Sequence, residues 1–557
     1  MRKILKLSCI IIIICACLTL AKSEDVSAKV KYTVSKSGTL TISGKGVVST
    51  TNYTKKHPEI KKIVIKSGIT SIKTVYAFIG CTNCTEVTVA PSVKSICHGA
   101  FSIDKLQKIT IPGDFKTIYS GEDEENGMFV SRPVLDCALN EVVFNTSLNV
   151  KVCTYFTTMN FITYSKDKKY KSYNGVIYTK DGKELVRVPL KRKAINIREG
   201  CTDFDLWAIE YGFSCDPAIA EITIPSSVIR INDTNNKGYD RDYSHIDTWC
   251  EKVIIKSKQL TGKSISVLYE KFFKISIDDI YQQIPECITK DKNGYYITND
   301  HVLLCYAGDE SAITVPDGVQ VIGLNVLGKK RNYQVKEVSL PDSVTEIMRY
   351  AFWGSEALES IKLPSSLESI GYAAFEEASI KELVLPKKLK TIGKYAFKRN
   401  MLTEITIPKS VKTIGVQAFC DNYELKNITI NCPITDNISK NIFSENMKPT
   451  IKFGSDISKS KYFTHIISRG TSKSSKYRKA NLTWSKIIGV TGYQVQISTS
   501  SKFTSSKTEK ATIKSADTTS TGIVFKKSTK NPSYARIRPY VTKSGKTTYG
   551  QWVKISL

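Results

Sequence analysis

The chain has 557 residues, more than one compact core usually organises, which leaves several domains or an elongated repeat. With 41% hydrophobic and 24% charged residues it is an ordinary folded protein, not a disordered one. The net charge of +29 is unevenly placed, residues 470–557 carrying 17 Lys and Arg against Glu509 and Asp517 alone.

A basic stretch of that kind points either to anionic counterparts (envelope polymers, acidic glycans, acidic host surfaces) or to a lysine-rich solvated surface. Nucleic acid is not expected as a partner, because no recognised reading module accompanies the charge.

At the amino terminus, Arg2, Lys3 and Lys6 flank an almost wholly apolar run from Ile4 to Leu20. That run of 17 residues is short for a membrane span, and small residues follow at Ala21-Lys22-Ser23 and Val26-Ser27-Ala28. The pattern predicts a cleaved secretory signal peptide over 1–23, with cleavage as far as 28 as a variant. Lipoprotein processing at Cys17 and an uncleaved anchor are the alternatives. No second apolar stretch of that length follows, so no membrane span is expected in the mature chain.

Residues 29–58 read as an amino-terminal strand region or cap, and 59–455 as repeats. The repeat is plainest between 335 and 430, where VKEVSLPDSVTEIMRYAFWGSEA, LESIKLPSSLESIGYAAFEEAS, IKELVLPKKLKTIGKYAFKRNM and LTEITIPKSVKTIGVQAFCDNYE succeed one another. Pro341, Pro364, Pro386 and Pro408 fall 23, 22 and 22 residues apart, and Phe352, Phe375, Phe397 and Phe419 keep the same beat. A fixed period of this length is the signature of a solenoid, in which each unit buries its apolar edge only against its neighbours. Before each proline the pattern alternates, with Leu402, Ile405 and Ile407 against Glu404 and Thr406, which predicts a half-buried strand. Proline ends that strand, because it cannot donate to a ladder. Strands one period apart are then parallel neighbours, and the phenylalanines form a spine inside.

The same unit recurs upstream, at Ala77-Phe78 and Ala100-Phe101, in AEITIPSSVIRI (Ala220 to Ile231) and in AITVPDGVQVIG (Ala312 to Gly323). Between 120 and 310 the beat is irregular, and insertions are expected there. Two of these stretches, NGVIYTKDGKELVRVP from Asn174 and NGYYITNDHVLLCYAGDESAITVP from Asn293, read as strand, turn, strand, with Asp181-Gly182 as a hairpin turn.

The unit apolar-x-apolar-Pro-x-x-(Val/Leu)-x-x-Ile-(Gly)-x-x-Ala-Phe resembles the BspA-like leucine-rich repeats of bacterial surface proteins. NGVIYTKDGKELVRVP is similar to a segment found between repeat blocks of that family, and GTLTISGKGVV (Gly38 to Val48) to the strand region before its first repeat. The resemblance covers about residues 30 to 455. It implies a curved solenoid, a secreted or cell-surface location, and adhesion to host proteins, host cells or other bacteria.

Residues 456–479 read as a polar linker, and 480–557 as a β-sandwich from their alternation and turn spacing. Leu482-Thr483-Trp484, Gly492-Tyr493 and Tyr534-Ala535-Arg536-Ile537-Arg538 resemble the fibronectin type III pattern. That resemblance implies Trp484 as the core tryptophan and Tyr534 at the position of a tyrosine corner, buried. The predicted fold class is therefore mainly β, a leucine-rich-repeat solenoid of parallel strands followed by an immunoglobulin-like sandwich.

Signs of chemistry are sparse. The five histidines, His57, His98, His245, His301 and His465, form no H-E-x-x-H, and neither G-x-S-x-G nor a P-loop occurs. Glu122, Asp123, Glu124 and Glu125 form an acidic run that reads as a solvated loop, with a carboxylate pair for glycoside cleavage as the remote alternative. Of 15 cysteines, Cys9, Cys15 and Cys17 lie in the leader; the other 12 lack the dense spacing of a disulfide scaffold. Cys81 and Cys84 form a C-x-x-C beside Cys97 and His98, but no second pair completes a zinc set. Core packing is expected for them, with an occasional disulfide or a metal as alternatives. No cofactor, metal or catalytic residue is predicted.

The expectation is a secreted or cell-surface, bacterial, non-enzymatic adhesion or interaction protein that binds macromolecules of host or neighbouring cells. The alternatives are an envelope-associated protein held to anionic wall polymers by the basic terminal module, and a hydrolase with a site in 120–310. If the strand face makes the contact, its outward residues are Glu337 and Ser339, Ser360 and Lys362, Glu382 and Val384, Glu404 and Thr406, and Asn427 and Thr429, in adjacent rows.

Overall fold

A typical repeat contributes two short strands, one before its proline and one after, and the two join different parallel sheets. This arrangement is seen in a computed structural model that describes residues 30–48, 57–118, 139–209, 219–233, 250–271, 275–327, 334–433, 442–444, 447, 449–454, 466–473, 478–525 and 532–557. The leader, the acidic run Glu122–Glu125, His245 and His465 lie outside the described residues. The chain divides into two units, residues 1–260 with 271–276, and residues 261–270 with 277–557.

In the first unit, Val30–Val34 and Thr39–Gly44 pair antiparallel and open a seven-stranded sheet. It continues in parallel through Lys62–Ile65, Glu86–Val89, Lys108–Ile111, Glu141–Phe144 and Asn160–Ile162. The strands after the turn form their own ladder, Gly46–Val48, Ile69–Ile72, Ser95–Cys97 and Lys116–Ile118. Side chains of both sheets meet inside, where Phe78 and Phe101 stack 5.3 Å apart. Val176–Thr179 and Glu184–Arg187 form a hairpin around Asp181-Gly182, preceded by Tyr170–Tyr173 turning at Asn174-Gly175. Two parallel ladders then run through the stretch expected to be irregular. Glu184–Arg187 continues into Asp203–Asp205 and Arg230–Asn232, and Ala194–Asn196 into Ile219–Ile224 and Cys250–Ile255.

The second unit holds two short helices that the sequence reading did not include, Gly262–Lys271 and Ile277–Gln283. The first is tied down within the unit, where the Asp300 carboxylate accepts from the Gly262 N–H and Ser266 Oγ from the Leu324 N–H. Ile288–Lys290 and the hairpin Tyr295–Thr298 and Val302–Tyr306 open an eight-stranded sheet. Its parallel part is built from Val321–Ile322, Glu346–Ile347, Ser369–Ile370, Thr391–Ile392 and Thr413–Ile414.

Between the two sheets Phe352, Phe375, Phe397 and Phe419 are fully buried and stack at 4.9, 5.2 and 5.5 Å, within 9° of parallel. The glycine after Ile370, Ile392 and Ile414 has a steric cause. A Cβ on Gly393 or Gly415 would collide with the backbone of the preceding coil. Two residues per coil turn the chain through the left-handed region, Tyr350, Ala373, Tyr395 and Gln417, then Gly354, Glu377, Arg399 and Asp421. Buried asparagines hold these turns. Asn400 Nδ2 donates to Phe375 O at 2.6 Å, and Asn422 Nδ2 to Phe397 O at 2.7 Å.

After the last repeat, Ile466–Lys473, Arg478–Trp484 and Ser520–Phe525 form one antiparallel sheet. Thr508–Ile513, Gly492–Ser498, Tyr534–Lys543, Lys546–Tyr549 and Val553–Ser556 form a second. The strand Ile466–Lys473 falls inside the expected linker. Trp484 and Tyr493 are buried with ring centroids 5.1 Å apart, in one core with Val495, Ile497 and Ile537. Tyr534 is not in this core. The alternation along its strand buries Ala535 and Ile537, so Tyr534 shares the outward face with Arg536 and Arg538. The repeat sheet also reaches this module, since Thr450–Phe453 pairs in parallel with Ile487–Ile488 and the apolar core is continuous across the join.

Candidate interaction surface

A strand alternates, so every second residue before a proline faces outward on the surface that successive coils extend. In Glu337–Ser339 and Ser360–Lys362 only the central Val338 and Ile361 are buried. The register pairs Glu337 with Ser360 and Ser339 with Lys362. Glu404–Ile407 and Asn427–Ile430 pair Glu404 with Asn427 and Thr406 with Thr429, and Thr450 and Lys452 extend both rows. Two lines of side chains therefore run across the coils, one through Glu337, Ser360, Glu404 and Asn427, the other through Ser339, Lys362, Thr406 and Thr429.

The intervening coil behaves differently. Glu382 makes a single bridge to Ser360, and no ladder joins residues 382–385 to Glu404–Ile407 among the described residues. Val384, in the outward position of that coil, is 85% exposed, the most exposed of the large hydrophobic side chains described. Lys381 pairs with Glu359 at 2.8 Å, and that hydrogen bond holds the Glu359 carboxyl below its ordinary range. The Asp342 carboxyl is lowered as well, by the backbone N–H and then the hydroxyl of Ser365, both at 3.0 Å.

A second set of charges, which the sequence reading did not single out, lines the turns after Ala374-Phe375 and Ala396-Phe397. Lys398 Nζ lies 2.7 Å from Glu376 Oε1, both largely buried, and Arg399 Nη1 lies 2.6 Å from Glu377 Oε1. Burial works most strongly against the Lys398 charge, but the Glu376 hydrogen bond and the attraction of its carboxylate together outweigh it, and the ammonium is held above its ordinary range. Their spacing of 22 residues was the available signal, because identical phases in successive coils are spatial neighbours.

On the terminal module, Arg536 lies over the rings of Phe503 and Trp552 at 4.3 and 4.5 Å. Arg538 lies over Tyr549 and Trp552 at 4.0 and 4.4 Å. Gln496 and Gln494 accept from their Nε atoms. Desolvation in this stack lowers both guanidinium pKa values from the ordinary range.

The ten described cysteines are all buried. Cys81 and Cys84 are buried and unlinked, with thiols pushed up by burial to about 12 and about 11. None of the ten described cysteines forms a disulfide.

Residues 48–122 and 311–450 match the model of the BspA type leucine rich repeat region, in six copies. No curated protein matches the chain. Among solved structures, it is similar to a leucine-rich repeat protein from Eubacterium ventriosum, at 18% identity over 65% of this chain and 97% of that one, with a TM-score of 0.29. It is also similar to a leucine rich cell surface protein from Faecalibacterium prausnitzii, at 17% identity over 77% and 94%, with a TM-score of 0.24. A third is the T. pallidum leucine rich repeat protein, at 29% identity over 30% and 85%, with a TM-score of 0.24. Residues 48–122 and 311–450 therefore carry leucine-rich repeats of the BspA type. Among the described residues no helix is long and apolar enough to cross a membrane.

Proposed function

We propose that this chain is a non-enzymatic interaction protein of the cell exterior, bacterial in origin, that holds proteins or glycans of host or neighbouring cells. The contact surface is the pair of outward rows on the repeats, Glu337, Ser339, Ser360, Lys362, Glu382, Glu404, Thr406, Asn427 and Thr429. The observation that supports this reading most is the register, which sets like positions of successive coils beside one another in two lines. Such a surface suits an extended partner touched at many weak points, which is how repeat proteins gain affinity. The leader-like amino terminus supports export.

A test follows from the exposure of these side chains. The triple variant Lys362→Glu, Glu382→Lys, Glu404→Lys is expected to melt with the parent protein yet bind a confirmed partner at least about tenfold more weakly, a change of about 1.4 kcal/mol. Unchanged affinity would remove the rows from the contact.

A second reading is supported by the terminal module, taken as an immunoglobulin-like sandwich of the fibronectin type III kind. Lys502, Lys507, Lys510, Lys514, Lys543 and Lys546 are all exposed, against Glu509 and Asp517 as the only acids. A field of this sign attracts anionic wall polymers and is screened by salt. Release of the protein from cells by high salt is the expected result, and retention counts against this mode of attachment.

A further inference from the structure

The coils carrying Glu382 and Glu404 separate on one side only. Their second strands stay paired, Thr391 with Thr413 and Ile392 with Ile414, and Phe397 keeps its stack with Phe419. On the side of the outward rows the ladder stops, and an open cleft of about 610 Å³ lies between Leu383, Val384 and Leu385 of one coil and Glu404, Ile405 and Thr406 of the next. Pro408, Lys387, Lys409, Ser410 and Asn431 complete its rim.

Two observations show that ordinary coil-to-coil contacts are missing here. Ser343 and Ser366, at the position two residues after the proline, donate to the carbonyls of Val319 and Val344 at 2.8 and 2.7 Å. Ser410 holds the same position, and its hydroxyl is buried without a partner. The carbonyls of Thr403 and Ile407 accept from Lys426 and Asn431 of the following coil. Strand alternation therefore turns the N–H and C=O groups of Glu404 and Thr406 the other way, toward the cleft, where no strand meets them.

We propose that this cleft receives an extended peptide segment of a partner protein, which rests on the reading of the outward rows as the contact surface. An extended backbone is the occupant that fits unpaired strand groups, since strand addition supplies the missing donors and acceptors. Leu383, Val384, Leu385, Ile405 and Pro408 give the cleft an apolar lining for one inserted side chain. Lys387 lines the cleft beside Pro386 and is exposed, so an acidic residue of the segment is matched there by charge.

The experiment uses the full chain and a displayed library of random peptides, with the Val384→Asp and Lys387→Glu variants as controls. Val384 is so exposed that its replacement leaves the fold intact. In the free protein, the Glu404 and Thr406 amides are expected to exchange at least about tenfold faster than those of Ile405 and Ile407, which face the paired side. Selected peptides are expected to alternate apolar and polar residues, carry Asp or Glu, and slow exchange at Glu404 and Thr406. Their affinity should fall about tenfold in either variant, and replacing the peptide's acid by Lys should restore it against Lys387→Glu.

Protected Glu404 and Thr406 amides in the free protein would overturn the proposal, as would no enrichment over the Val384→Asp control. Peptides that depend on Glu337 and Lys362 but ignore Val384 and Lys387 would overturn the cleft while leaving the rows standing. If the triple row variant keeps full affinity for a macromolecular partner, the broader reading fails independently of the cleft.

Discussion

Phe397 and Phe419 lie 5.5 Å apart with their rings 9° from parallel, each fully buried and 22 residues from the other. That stack joins the two coils whose outward strands separate, so the interior carries the continuity that the surface ladder lacks. Truncating Phe397 removes ring contacts on both sides and leaves a cavity. Phe397→Ala is expected to cost about 3–5 kcal/mol. Chemical denaturation checks it, and a loss below about 1 kcal/mol would mean that the spine is not what holds the coils.

The pair Glu376–Lys398 is largely buried, so solvent compensates poorly for a lost partner. Glu376→Gln leaves the Lys398 ammonium uncompensated and is expected to cost about 3 kcal/mol. Arg399→Gln, on the exposed pair with Glu377, should cost less than about 1 kcal/mol. Equal losses in the two variants would show that burial does not separate the two pairs.

Alkali acts through the buried thiols. Burial raises Cys81 to about 12 and Cys84 to about 11, whereas an exposed thiol ionises near 9.0. The folded state therefore keeps its protons while the unfolded chain loses them. Their contribution is complete below pH 9 and declines as pH rises through the window from 9 to about 12. Unfolding followed between pH 8 and 11 is expected to show falling stability, with alkylation of Cys81 in the native protein slow throughout. Rapid native-state alkylation at pH 8 would contradict this burial.

The terminal module shares its core with the last repeat through Ile451 and Ile487, both fully buried and paired in register. Ile487→Ala is expected to cost about 2–5 kcal/mol and to lower the opening free energy of Ile428 and Ile537 amides together. Hydrogen exchange reads both at once. A change confined to one side of the join would make the module an independent bead.

Much of this architecture was legible because prolines and phenylalanines at one phase can be satisfied only by stacking identical coils. The strand before Pro408 and its partner before Pro386 read alike, ELVLP and EITIP, yet one side of that pair is open. Alternation predicts which residues face out; it does not fix the spacing between neighbouring coils, which packing decides. The ladder through Asp203–Asp205 was hidden because that coil has neither the proline nor the Ala-Phe pair. Asn400 and Asn422 were missed because a polar residue reads as surface until a turn carbonyl is seen to need it. Tyr534 was assigned to the core by a motif, whereas the period of its own strand puts Ala535 and Ile537 there.

The central claim is that the outward rows touch the partner, and site-specific photocross-linking tests it most directly. A photoreactive residue at Ser360 or Thr406 is predicted to capture a macromolecule from host or neighbouring cells, and the same residue at Thr391, in the other sheet, is predicted not to. Capture from Thr391 at equal yield, or from neither row position, would contradict the account.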